Sequence, residues 1–203
     1  MKVLVACEFS GTVREAFAQR GHDAWSCDLL PTEKPGNHIQ GNVLDILNQG
    51  WDLMIAHPPC TYLCTSGNRW FKPQYAEKFP DRPRLRDEAV EFVRTLMSAD
   101  IPRIAIENPR SILSTRIRKP DQVIQPYEFG HPDRKATWLW LKGLVLLSPT
   151  QIVAPNIKRN KNGQTASVHH DYALSIPYAE RWKFRSRTYE GIAAAMAEQW
   201  GRL

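Results

Sequence analysis

Residues 2–11 read KVLVACEFSG, a β-branched apolar run from Lys2 to Cys7 that stops at Glu8-Phe9-Ser10-Gly11. The positions that follow, Val13, Ala16 and Phe17, recur at helical spacing, so the N-terminus is predicted as strand, turn, helix. Arg20-Gly21-His22 is a natural stop, and Asp23 to Cys27 reads as a second strand closing on Asp28, which completes one βαβ unit.

Working outward from this unit, a Pro- and Gly-rich loop covers 31–41, and Trp51 to Ala56 is predicted as a buried strand broken at His57-Pro58-Pro59-Cys60. The paired prolines hold the backbone extended there. Residues 65–84 read as an irregular loop with Trp70, Phe71 and Tyr75, and 86–99 as a helix burying Ala89, Val90, Phe92, Val93, Leu96 and Met97. A strand from Arg103 to Ile106 ends on Glu107-Asn108-Pro109, and residues 137–147 offer one more strand with a turn at Lys142-Gly143. Periodicity is lost between Ser148 and Phe184 and returns in 188–200, where Ile192, Ala193, Met196 and Trp200 share a helical face. Alternating strands and helices imply an α/β, Rossmann-like, doubly wound and mainly parallel sheet. The expected division is a core over 1–147, a small insert over 148–184, and a C-terminal helix returning to the core over 185–203.

In a doubly wound sheet ligands bind beyond the carboxyl ends of the strands. Phe9-Ser10-Gly11, Asp28, Pro59-Cys60 and Glu107-Asn108 all fall at such ends. A thiol in a stiff Pro-Pro-Cys turn suits nucleophilic attack on an electron-poor carbon, with a buried structural cysteine as the competing reading. Glu107 offers a carboxyl group to a ring nitrogen, or simply a cap. Asp28 suits ribose hydroxyls, the turn at 9–11 offers backbone N–H groups, and Asp45 suits an adenine amino group or caps a helix.

Composition sets the outer limits. With 42% hydrophobic and 24% charged residues the 203-residue chain is globular rather than disordered. A net charge of +6 favours a polyanion partner without demanding one. The N-terminal residues lack a signal-peptide layout, so the four cysteines are expected reduced, in a cytoplasmic protein. No apolar run approaches the roughly 20 residues of a membrane span. Cys60-x-x-x-Cys64 without a second Cys or His pair argues against zinc.

Taken together, Phe9-Ser10-Gly11, Asp28, Pro59-Cys60 and Glu107-Asn108 in this order resemble the motifs of the DNA cytosine-C5 methyltransferases, in particular the short phage and prophage forms, over nearly the whole chain. The resemblance implies a SAM-dependent methyltransferase fold. It implies Cys60, Glu107 and Arg134 as catalytic residues, with Arg134 holding the pyrimidine carbonyl. SAM would be held by Phe9, Ser10, Gly11, Asp28, Asp45 and Pro58, the partner would be double-stranded DNA, and the protein a monomer in a bacterial cytoplasm. The chain departs from the pattern at Val13, where the family has a last glycine, at Arg134-Lys135, which stand in for a longer Arg-rich motif, at Pro109, and at Arg185-Ser186-Arg187-Thr188. Arg185 or Arg187 gives a second reading, in which a guanidinium binds the carboxylate of carboxy-SAM and the product is a carboxymethylcytosine. A silent DNA-binding decoy and an RNA or nucleotide methyltransferase are further alternatives. The short insert implies short or relaxed sequence specificity, with Lys158, Arg159, Lys161, His169 and His170 as candidate phosphate contacts.

Overall fold

The computed structural model describes residues 1–159, 165–167, 172 and 175–202. Lys161, His169 and His170 lie outside the described residues, as do the side chains of Lys158 and Arg159.

Strands β1 (Lys2–Ala6), β2 (Asp23–Asp28), β3 (His38–Gln40), β4 (Leu53–Ala56), β5 (Arg103–Pro109), β6 (Gln122–Ile124) and β7 (Thr137–Lys142) form one sheet in the order β3-β2-β1-β4-β5-β7-β6. The first five are parallel, while β7 runs antiparallel to both β5 and β6. This is the Rossmann-like α/β arrangement expected. Strand order reverses between β1 and β4, so the crevice beyond their carboxyl ends is where such a sheet receives a ligand.

Helices cover both faces, as a sheet of this kind requires, and the strands are apolar on both sides. Because successive side chains point oppositely, Leu4, Ala6, Met54, Ala56, Ile104 and Ile106 enter one core, and Val3, Val5, Leu53, Ile55 and Ala105 the other. Helix α2 (Arg82–Ser98) closes the first core with Val90, Val93 and Leu96. Helix α1 (Thr12–Ala18) closes the second together with the C-terminal α5 (Glu190–Trp200), whose Ile192, Ala193, Met196 and Trp200 are buried as their spacing requires. Each fully buried Val, Leu or Ile contributes about 1.5–3 kcal/mol relative to exposure, so these two cores fix the strand ends in place.

Several elements differ from the sequence reading. The supposed loop 31–41 contains β3, whose three residues are too short to show an alternating pattern. Short α3 (Leu113–Arg116) and β6 carry no periodic signal for the same reason. Strand β5 continues through Glu107 and Asn108 to Pro109 because antiparallel β7 pairs with it beyond the point where parallel β4 stops at Ala56. The loop 65–79 is neither open nor formless: Trp70 packs edge-on against Tyr75 and Phe79, at 5.0 and 5.6 Å, and the Arg86 guanidinium lies 3.2 Å from the Phe71 ring centre.

After β7 the chain stays tied to the core. Leu147 is buried, Ser148 exchanges hydrogen bonds with Gln199, and Gly130 N–H donates to the Gln151 carbonyl. A hairpin of β8 (Ile157–Arg159) and β9 (Thr165–Ser167) follows, and then α4 (Arg181–Ser186) leads into α5. No helix among the described residues is long and apolar enough to cross a membrane.

Candidate active site

The turn after β1 is built around a carboxylate. Cys7 takes a left-handed φ of 58°, uncommon for a residue with a side chain, and turns the chain so that Glu8 is buried against α1. Glu8 Oε1 accepts from Val13 N–H at 2.6 Å and from Ser10 Oγ at 3.3 Å, and Oε2 accepts from Arg14 N–H at 3.2 Å. The start of α1 therefore already holds an internal anion on the N–H groups of Val13 and Arg14, distinct from those of the turn at 9–11. It also explains Val13 in place of glycine. The Val13 N–H is taken, and its side chain is fully buried in the core.

Gly11, at φ 70°, must be glycine on two grounds: the left-handed conformation, and the Arg14 guanidinium 2.6 Å from where a Cβ would stand. Arg14 is itself fully buried. It donates to Ser26 Oγ, Thr32 Oγ1 and the carbonyls of Lys34 and Pro35, and so clamps the loop after β2 against the Gly11 turn. Asp28, half-buried at the end of β2, accepts from Leu30 N–H on Oδ1. Asp45 is exposed in the turn after β3, and both carboxylates act on the Cys27 thiol, pushed up to about 11 by burial first and then by Asp28 and Asp45. Phe9, Ser10, Gly11, Asp28 and Asp45 thus gather along the rim of β1, β2 and β3.

At the next strand end, His57 N–H continues the β4 ladder to the Ala6 carbonyl, and Pro58 is buried with its carbonyl accepting from Asn108 Nδ2 at 3.0 Å. The Cys60 carbonyl then accepts from Leu63 and Cys64 N–H, which closes a tight turn. Hydrogen bonds from Thr65 N–H to the Arg110 carbonyl and from Ile112 N–H to the Leu63 carbonyl bind that turn to the segment after β5. Cys60 is the one exposed cysteine; Cys7, Cys27 and Cys64 are buried or half-buried. The Cys60 residue is exposed, while protein groups pack around its sulfur. Burial raises its pKa above the usual thiol value, Cys64 and Glu107 raise it further, and Arg185 and Lys135 oppose them.

Glu107 follows Ile106, the last β5 residue paired with β4, and so emerges beside the Pro-Cys turn. Its Oε2 accepts from His57 Nδ1 at 3.1 Å. Burial alone would raise its pKa; the His57 hydrogen bond, the His57 charge and the Lys135 charge outweigh it, and the net shift is downward. Lys135 approaches from the start of β7. Its ammonium donates to the carbonyls of Arg185, at 2.8 Å, and Arg187, at 3.4 Å, while burial lowers its pKa and Glu107 and Cys60 raise it. A small recess between β5, β7 and α5 is lined by Glu107, Lys135, Thr137, Thr188, Tyr189 and Ile192.

Cys60 and Glu107 are therefore brought together as expected from the motifs. Arg134 is exposed; its neighbour Lys135 acts electrostatically on both Cys60 and Glu107, and Arg185 acts on Cys60 as well. Arg187, expected at the cofactor, instead forms a two-pronged pair with Glu33, its Nη2 2.8 Å from both carboxylate oxygens. Its guanidinium is accordingly engaged by the protein. Trp182 of α4 lies 5.7 Å from Phe9, so the segment 181–189 straps across the rim from Phe9 and Glu33 to Lys135. His57, Lys135, Glu8 and Glu33 were not singled out from sequence. His57 and Lys135 each sit beside a residue that was, and that adjacency was the available signal. Among the described residues no His, Cys, Asp and Glu cluster is placed to hold a metal ion.

No family model and no curated protein matches the sequence. Among solved structures, a prophage-encoded E. coli protein described as a DNA modification methyltransferase is similar at 16% identity and a TM-score of 0.47. The likeness covers 75% of this chain and 51% of that one, so the chain spans about half the length of that protein. Function must therefore be argued from the site itself.

Proposed function

We propose that the protein is a SAM-dependent DNA methyltransferase that modifies C5 of cytosine through a covalent bond to Cys60. The observation that carries this reading is the convergence, at adjoining strand ends, of an accessible cysteine with a carboxylate and an ammonium that act on it electrostatically. The chemistry of the rim fits the cofactor. Asp28 and Asp45 suit hydroxyl and amino groups of a nucleoside, with Phe9, Ser10, Gly11 and Pro58 forming the floor. The buried Glu8 carboxylate occupies the helix start where a phosphate would otherwise bind, which favours a cationic, phosphate-free cofactor over a nucleotide. SAM, when bound, supplies the methyl group.

The protein's own residues do the rest. A cytosine must leave the stack for its C5 and C6 to meet the Cys60 thiol. The Cys60 thiol gives its proton to solvent as the sulfur adds to C6, which makes C5 the nucleophilic carbon; after methylation C5 gives its proton to water, the C6–S bond breaks, and the thiolate leaves with the bond's electron pair, returning Cys60. Glu107, held ionised, accepts from the exocyclic amino edge of the base. The role expected of Arg134 passes to Lys135, whose ammonium donates to the pyrimidine carbonyl. Exposed Arg134 and Arg185 beside the cleft suit the phosphates of duplex DNA, in keeping with the positive net charge. On the carboxy-SAM reading Arg187 would have to exchange its pair with Glu33 for the cofactor carboxylate, and Arg185 is the alternative guanidinium.

Mass spectrometry of nucleosides from unmodified duplex DNA, incubated with SAM and in parallel with carboxy-SAM, tests this. Formation of 5-methylcytosine by the wild type, its loss in Cys60→Ser, and a covalent complex with 5-fluorocytosine DNA are expected. No cytosine product, or full activity in Cys60→Ser, overturns the reading.

A further inference from the structure

His57 is unaccounted for by the chemistry above, and its surroundings are specific. The imidazole is 8% exposed and Glu107 16%, and the two are linked through Nδ1 and Oε2 at 3.1 Å. A carboxylate oxygen only accepts, so Nδ1 carries the proton. Nε2, on the other side of the ring, is buried without a hydrogen-bond partner among the described residues. An orphaned buried nitrogen of this kind is costly, and native proteins keep few of them. The backbone sets the pair in place. The His57 N–H is fixed to the Ala6 carbonyl, the stiff Pro58-Pro59 pair follows, and Asn108, next to Glu107, holds the Pro58 carbonyl. Residues 57 and 107 are thereby set side by side on adjacent parallel strands, one step past the last paired residues Ala56 and Ile106.

We propose that His57 is the positioning residue for Glu107: by holding Oε2 it fixes the carboxylate's orientation and leaves Oε1 to accept from the amino edge of the substrate base. The proposal rests on the cytosine reading for its substrate and on the geometry alone for the pair. The other charged groups at Glu107 and at its neighbours are Lys135 from the start of β7, Cys60 from the turn and Arg185 from the end of α4. Among these described groups His57 hydrogen-bonds Glu107 directly. Its contribution is directional where Lys135's is a charge at a distance.

Two variants separate the hydrogen bond from mere space-filling. His57→Asn keeps an N–H donor near the Nδ1 position, and His57→Leu keeps the bulk without a donor. We expect His57→Leu to lower kcat for methyl transfer by about 10- to 100-fold, the range for loss of a hydrogen bond to a charged group, with the KM for DNA little changed and the acid limb of the pH profile moved up. His57→Asn should restore much of the rate. Equal rates and pH profiles in wild type and His57→Leu would overturn the assignment, as would a fall in His57→Asn as deep as in His57→Leu. Carboxyl-carbon NMR on the protein without substrate gives a separate reading. The Glu107 titration midpoint should rise in His57→Leu, and no movement refutes the pairing. If the wild type makes no methylcytosine but the midpoint moves, the substrate reading fails and the His57 role stands.

Discussion

Glu8→Ala tests how the turn after β1 is held. The Glu8 carboxylate is 5% exposed and accepts two backbone N–H groups at the start of α1, at 2.6 and 3.2 Å, plus the Ser10 hydroxyl at 3.3 Å. Losing it orphans two buried donors, and each costs about 1–3 kcal/mol. The favourable interaction of an anion with the helix start, about 0.3–1 kcal/mol and more when buried, goes with it. The 3.3 Å hydroxyl contact is long and adds little. Relief of burying the carboxylate offsets part of the loss, so the net cost is about 2–4 kcal/mol. For a chain of this length that corresponds to a fall in Tm of roughly 4–16 °C. Glu8→Gln retains one acceptor oxygen for the short Val13 bond and places an NH2 against the Arg14 N–H, so it should lose about half as much. Scanning calorimetry and urea unfolding of the three proteins supply the comparison. A Glu8→Ala protein within about 1 °C of wild type, or a Glu8→Gln protein less stable than Glu8→Ala, would show that Glu8 does not cap the helix.

Thiol reactivity should follow burial and charge. Iodoacetamide at pH 8 should label Cys60 first, and its rate should keep rising with pH past the ordinary thiol value because burial holds the thiol protonated there, whereas Cys7 and Cys27, pushed up to about 12 and 11, should remain unlabelled in the folded protein. Peptide mapping of Cys7 or Cys27 as the fastest site would contradict the assignment. Gly191→Ala places a Cβ 1.9 Å from the Phe129 carbonyl, a backbone atom with little room to give, so α5 must shift off residues 126–131 at a cost of about 1–3 kcal/mol or more. A variant as stable as wild type would mean that α5 does not pack this closely.

How much of this was legible in the sequence depends on the length of the signal. Lys2–Ala6 and Leu53–Ala56 announce themselves because buried parallel strands are apolar on both faces, and Glu190–Trp200 because a one-sided helix repeats its apolar positions. Three-residue strands such as His38–Gln40 have no room for a pattern; β3 is set by pairing to β2 and by His38, whose ring bonds Ser26 Oγ and the Leu30 carbonyl. Cys60 and Glu107 were visible because a strand end in this fold points at the ligand crevice. The choice between Arg134 and Lys135 was not, since it depends on the register at which β7 begins, and adjacent residues in an extended segment face opposite ways. The pairing of Arg187 with Glu33 was not legible because the two residues lie far apart in the chain.

The reversal of β7 has a consequence for how the cleft is stocked with side chains. In an all-parallel sheet every strand delivers only its finish to the ligand side, and its start lies at the opposite end of the molecule. Here β5 arrives at the rim with Glu107, and β7, running the other way, sets out from the same rim just after Lys135. One inverted strand therefore lets a departing residue and an arriving residue share one rim, so that Glu107 and Lys135 can each be varied without moving Cys60, which hangs from the turn after β4.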